Sequence, residues 1–199
     1  MESGGSEISS LRITTPPDVE ALIRELSARI AHARTATATL QVWCEEHGLS
    51  QGPITAKRLH EDRTSTIGDE QLPELGALPD ESICHRRVQL VRGGLPLVEA
   101  DNWFMPSRLP PEMRGILETT DLPFGVVIAP LNPSRRTCSI RFRAPGDGRR
   151  GETSLAAHGD EPWSPETILE HRAVVISGRG IPLAVVREYF RAELVSFAH

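Results

Sequence analysis

Residues 171–190 read HRAVVISGRGIPLAVVREYF, and the fold turns on this stretch. Two runs rich in β-branched residues flank Gly178-Arg179-Gly180, the pattern of a β-hairpin. Side chains of a strand alternate between its two faces. On the second run Ala184, Val186, Glu188 and Phe190 therefore share one face, and all but the glutamate are apolar. A carboxylate on such a face is costly to bury unless something pairs with it. Two readings stay open: Glu188 sits where the strand emerges into solvent, or it lines a pocket and meets a ligand there.

The same design occurs earlier in the chain. RRVQLVRGGLPL at 86–97 parallels RAVVISGRGIPL at 172–183: an arginine, apolar alternation, a glycine turn, apolar-Pro-Leu, then a long strand. Two hairpins of one design predict a pseudo-symmetric antiparallel sheet with helices on one face, an α+β single domain. Residue by residue, this parallel matches Arg86 with Arg172. Arg86 shares a face with Val88 and Leu90, whereas Arg87 shares the other with Gln89, so Arg86 is the arginine expected to point inward. A buried guanidinium presents a fork that fits a carboxylate in bidentate fashion. That carboxylate is either Glu188, in a plain ion pair, or a ligand. Arg172 shares a face with Val174 and Ile176 and is a third ionised group of this kind.

Around these hairpins the pattern predicts a coarse layout. Residues 1–14 are expected to form a flexible N-terminus and 15–199 one domain. Thr15-Pro16-Pro17-Asp18 opens a helix, and Val19, Leu22, Ile23, Leu26 and Ile30 carry it at helical spacing to about residue 33. A second helix is expected from about Thr37 to His47, stopping at Gly48, and a strand over 54–60. Residues 61–79 read as a loop, 83–92 and 97–105 as strands, and 110–118 as a short helix. Short strands are expected at 126–129 and 138–143, and a helical turn near 165–170. Residues 146–165 hold several glycines and charges without periodicity and read as a mobile or lid-like loop.

Composition excludes several function classes. A net charge of −5 with no long Lys/Arg run argues against a nucleic-acid partner. No apolar run approaches the roughly 20 residues of a membrane span. The start MESGGSEISS lacks a basic and an apolar signal region, so a cytoplasmic location is expected. Cys44, Cys84 and Cys138 are odd in number and widely spaced, which is neither a disulfide framework nor a zinc pattern. The histidines show no HxxxH or HxH spacing, so no metal site is expected. Gly146-Asp147-Gly148 and Gly178-Arg179-Gly180 do not open helices of strand–loop–helix units, and nothing frames Ser154 and His158 as nucleophile and base. Arg149-Arg150 read as a solvated pair.

Four stretches carry a family resemblance. Thr37-Ala38-Thr39 stands near a helix start, Arg86 lies within RRVQLVRGGLP, Asp121-Leu122-Pro123-Phe124-Gly125 forms a turn, and Val175 through Glu188-Tyr189-Phe190 closes the chain. Together they resemble the chorismate pyruvate-lyase family, especially the mycobacterial type that makes 4-hydroxybenzoate, over roughly residues 18–192. The turn at 178–181 is one residue longer than the family's, and Arg187 stands where the family has threonine.

The resemblance implies a six-stranded antiparallel sheet with helices on one side, a ligand closed off beneath flaps, and no cofactor or metal. It implies that Arg86 binds a ring carboxylate and that Glu188 lies at the ligand's 4-hydroxyl end. Backbone N–H groups near Ala38-Thr39 and Phe124-Gly125 would touch the ligand, and Arg172 is a candidate for a second carboxylate. The same scaffold serves ligand-sensing domains of winged-helix regulators, although residues 1–80 do not read as a winged helix. The expected function is conversion of chorismate to 4-hydroxybenzoate and pyruvate. The alternative is a non-catalytic protein, or an enzyme of altered chemistry, that binds an aromatic carboxylate.

Overall fold

The computed structural model describes residues 18–59, 72–78, 80–143 and 164–198. Six strands, β1 (Ile54–Arg58), β2 (Cys84–Arg92), β3 (Leu95–Phe104), β4 (Ser134–Phe142), β5 (Thr167–Ile176) and β6 (Pro182–Arg191), form one antiparallel sheet. Its order is β1-β2-β3-β6-β5-β4. Each half of the chain thus contributes three strands in sequence, and the halves meet where β3 pairs with β6. The helices are α1 (Val19–Ala31), α2 (Ala36–Glu46), α3 (Leu72–Leu75), α4 (Pro111–Thr119) and α5 (Phe124–Val127). This is the α+β architecture expected from the two hairpins.

Local chemistry sets the helix ends beside the sheet. Asp18 caps α1 by accepting from the Glu20 N–H at 3.0 Å. Thr35 caps α2 by accepting from the Ala38 N–H at 3.4 Å, and Gly48 ends the helix region at φ +64°. Residues 126–129, expected as a strand, belong instead to α5 and a following 3-10 turn. A four-residue apolar run carries no periodicity that separates strand from buried helix. Here the Ile128 N–H donates to the Phe124 carbonyl at 3.1 Å. Two other boundaries move: β4 begins at Ser134, and 167–170 open β5 rather than forming a helical turn. The expected N-terminal tail, the helix start at Thr15 to Pro17, most of the 61–79 loop, and 144–163 with Arg149, Arg150, Ser154 and His158 lie outside the described residues.

Alternation along the strands gives the sheet two unlike faces. The inner face carries two apolar clusters. One packs Leu26, Ile30, Leu40 and Trp43 of α1 and α2 against Ala56, Val88, Ala100, Leu169 and Phe190. The other packs Leu117, Phe124, Val127 and Ile128 of α4 and α5 against Phe104, Ala173, Val175, Ala184 and Val186. The outer face holds Trp103, Val174 and Val185 beneath α3, so not every helix lies on the same side. It also carries ion pairs, with Glu170 between Arg187 (2.9 Å) and Arg141 (2.6 Å).

The two hairpins differ by one turn residue. In the first, Arg92 pairs with Leu95 around a two-residue turn, Gly93-Gly94, both at positive φ (+51° and +87°). In the second, the Ser177 N–H donates to the Ile181 carbonyl at 2.8 Å around the three residues Gly178-Arg179-Gly180. The extra residue shifts the phase of β5. Arg86 stands opposite Asn102, and the equivalent pair is His171 opposite Glu188. A one-residue slip moves every side chain to the other face. Arg172 therefore corresponds to Arg87, not Arg86, and lies on the outer face with Val174.

Candidate ligand-binding site

A cavity opens at the seam between the two inner clusters. Its floor comes from the middle of the sheet: Val88, Leu90, Ala100, Val175 and Val186. Its roof comes from Thr35, Ala36 and Thr37 at the start of α2 and from Phe124, Gly125 and Ile128 in and after α5. The unfilled space is about 460 Å³, part of it continuous with solvent. Exposed Arg34 stands on its lining.

Gly125 sets the width of the roof. A Cβ added there would lie 2.9 Å from Thr35 Cβ, so only glycine lets α5 close against the α2 cap.

Four polar side chains other than the two threonines line the cavity: Arg34, Asn102, Arg135 and Glu188. Glu188 faces inward on β6, as the alternation predicts, and is 7% exposed. Its Oε2 accepts from an Nη of Arg135, which reaches over from β4. The Arg135 side chain is 2% exposed, and among the described residues its Nε has no acceptor. An unmade bond on a buried charged group carries a desolvation cost that a ligand oxygen would remove. Asn102 spends its Nδ2 on the Arg86 carbonyl at 3.3 Å. Among the described residues no donor reaches Asn102 Oδ1 or Glu188 Oε1. Arg34 donates to Asn132 Oδ1 at 2.8 Å. Two arginines against one glutamate leave the lining with a formal charge of +1, which suits a monoanion.

Arg86 shares the inner face with Glu188 and is 7% exposed, yet it does not line the cavity. Its guanidinium turns toward the segment after α4. It donates to the Leu122 carbonyl at 3.2 Å from both Nη atoms and to the Thr120 carbonyl at 3.3 Å. Burial and the nearby Arg58 cation lower its pKa, while Asp121 opposes that shift. Glu188 pairs with Arg135, and among the described residues no carboxylate forms a salt bridge with Arg86.

The remaining expected residues divide. Phe124 and Gly125 line the cavity. Ala38 is exposed on α2, its N–H engaged by the Thr35 cap, and neither it nor Thr39 is among the lining residues. Arg172 is across the sheet, 3.2 Å from Glu74, and cannot meet a ligand in this cavity. The expectation that it takes a second carboxylate here is corrected by the phase shift of β5. Arg34, Asn102 and Arg135 are lining residues that the sequence reading did not single out.

One buried group lies beside the site without lining it. His171 is fully buried, and its Nε2 is 2.9 Å from Ser27 Oγ of α1. Burial, and then the charge of Arg135, lower its pKa to about 4, so the ring is neutral at pH 7. Ser27 is 3% exposed and also absent from the lining. Among the described residues no group of three or more His, Cys, Asp or Glu could hold a metal ion. No helix among them is long and apolar enough to cross a membrane.

No protein-family model matches the chain. The uncharacterized protein y4mC of Sinorhizobium fredii is 33% identical over 183 residues, covering 89% of this chain and 76% of that protein. Solved structures with a likeness include the effector domain of PhnF from Mycobacterium smegmatis, at TM-score 0.49 and 12% identity, covering 80% of this chain and 89% of that one. A structure of PhnF from the same organism gives TM-score 0.47 and 14% identity, covering 88% and 94%. A GntR-family transcriptional regulator from Bacillus cereus gives 0.41 and 10%, covering 70% and 92%.

Proposed function

We propose that this chain, which belongs to the family of protein y4mC of Sinorhizobium fredii, binds a small, flat, largely apolar organic acid in the seam cavity. Arg135, a buried cation on the lining whose Nε has no acceptor among the described residues, carries this reading. An anionic oxygen would satisfy it, and Arg34 adds a second positive charge from the rim. The valine, alanine and leucine floor suits an apolar ring. Asn102 Oδ1 and Glu188 Oε1 are acceptors for a hydroxyl or amino group on the ligand. Hydroxybenzoates have this combination of a carboxylate, a ring and a donor.

A second reading is chorismate pyruvate-lyase, and the observation that favours it is a carboxylate, Glu188, in the wall of an otherwise apolar cavity. In that reaction the C3–O ether bond of chorismate breaks and the C4 hydrogen leaves as a proton. A proton ends on the enolpyruvyl methylene, giving pyruvate, and the ring becomes 4-hydroxybenzoate. Glu188 could serve as base through Oε1 or as acceptor to the C4 hydroxyl. Its Oε2 is already engaged by Arg135, so binding is the leading reading.

Incubation with chorismate, together with calorimetric titration of 4-hydroxybenzoate, separates the two. Binding of 4-hydroxybenzoate without pyruvate release supports the binding role. Pyruvate release above the uncatalysed rate that falls by about 10²–10⁴-fold in Glu188→Gln supports the lyase. Neither binding nor release would overturn both readings.

A further inference from the structure

We propose that Arg86 is a positioning residue: it clasps the 120–122 segment and thereby holds Phe124 and Gly125 as the cavity roof, without touching the ligand. Three observations on one stretch of backbone carry this. The Arg86 guanidinium donates to the carbonyls of Thr120 and Leu122, which lie between the end of α4 and the start of α5. Arg58 of β1 donates to the Leu117 carbonyl one turn earlier. The Ala56 N–H donates to the Asp121 carbonyl at 2.7 Å. The C-terminal end of α4 and the turn after it are thus fastened to β1 and β2 at four carbonyls: 117, 120, 121 and 122.

A helix end concentrates unpaired carbonyls and partial negative charge, so guanidinium donors are chemically suited to it. Arg86 bridges two carbonyls because its planar fork presents several donors at once. Pro123 follows immediately and caps α5 in an extended conformation, so a displaced 120–122 segment displaces Phe124 as well. Phe124 in turn packs against Phe104 of β3, with ring centroids 5.8 Å apart, and Gly125 lies against Thr35. The path from Arg86 to the cavity is therefore one turn of chain, and the anion-facing cations are Arg135 and Arg34 instead.

The ligand part of the test rests on the binding reading of the cavity, and the exchange part does not. Hydrogen exchange of the free protein compares wild type with Arg86→Gln and Arg86→Lys. Amides of 120–128 should exchange roughly ten- to a hundredfold faster in both variants, while those of β3 and β6 keep their protection. Lysine keeps the charge but lacks the fork, so it should not rescue the segment. It also serves alone should Arg86→Gln fail to fold. Unchanged exchange over 120–128 would overturn the proposal.

Titration with 4-hydroxybenzoate and its neutral amide then separates positioning from charge recognition. A positioning residue weakens both compounds by the same factor, about tenfold. A loss confined to the acid would make Arg86 the carboxylate anchor and overturn the proposal. If wild type binds neither compound, the binding reading fails and the exchange result alone decides the role of Arg86.

Discussion

The two hairpins place different pairs at the same point of the sheet: Arg86 beside Asn102 in one, His171 beside Glu188 in the other. Each half must keep an ionised or ionisable group on a face built for apolar packing, and each does so by a different means. In the first half the cation turns away from the cavity and spends its Nη donors on carbonyls after the helix end. In the second half the anion stays in the cavity wall and an arginine from the edge strand β4 comes to it, while the histidine beneath α1 is neutral. Backbone dipoles and a counter-ion are both adequate partners for a buried charge. They differ in what they leave behind. The dipole solution engages both Nη groups of Arg86 with backbone carbonyls, whereas the ion pair engages Glu188 Oε2 and leaves both of its partners on the cavity lining.

The largest expected difference between the halves comes from removing each arginine. Arg135→Met strands Glu188 as a buried, uncompensated carboxylate, which should cost about 3–5 kcal/mol in urea unfolding. Arg135→Met combined with Glu188→Leu should recover most of it, because an apolar pair of similar size can replace a buried ion pair. Arg86→Met leaves carbonyls but no ion, and should cost less, about 1–3 kcal/mol. Equal losses for the two single variants would erase the distinction between the halves.

His171 should also give stability a pH dependence. The folded pKa of about 4 lies below the ordinary histidine value of 6.5, so the unfolded chain binds the proton more readily. The stability due to the neutral ring is therefore complete above about pH 6.5, falls as the pH drops through 6.5 toward 4, and levels off below that, a change of roughly 3 kcal/mol. Urea midpoints taken across this window should show the slope in wild type and a flatter profile in His171→Gln. A profile of the same slope in that variant would assign the effect to other groups.

A smaller effect is expected where the halves meet over the cavity. Gly125→Ala places a methyl 2.9 Å from Thr35 Cβ and should cost about 1–3 kcal/mol by forcing α5 from the α2 cap. Gly125→Ala combined with Thr35→Gly should regain part of that loss in the same unfolding measurement. No recovery would mean that the strain lies elsewhere in the roof.

Period-two alternation made the sheet, the inward face of Glu188 and the outward face of Arg87 legible in the amino-acid order. Arg135 was not, for a physical reason. It sits on an edge strand, beside Arg136 and just before a bulge between Thr137 and Ser139, so no clean alternation marks it. The partners of Arg86 were equally hidden, because the carbonyls of Thr120 and Leu122 belong to every residue type alike. Arg172 was placed on the wrong side of the sheet by matching Gly93-Gly94 to Gly178-Arg179-Gly180 without a gap. The signal was present, since the second turn holds one more residue than the first.

That one turn residue has a consequence in mutational distance. Exchanging the inward side chains of a strand by substitution takes one step per position, and each intermediate leaves a polar group facing the core or an apolar one facing out. One inserted codon in the turn exchanges the whole set together. In this protein, one turn residue separates a half whose buried arginine turns to backbone carbonyls from a half whose buried glutamate stays in the cavity wall.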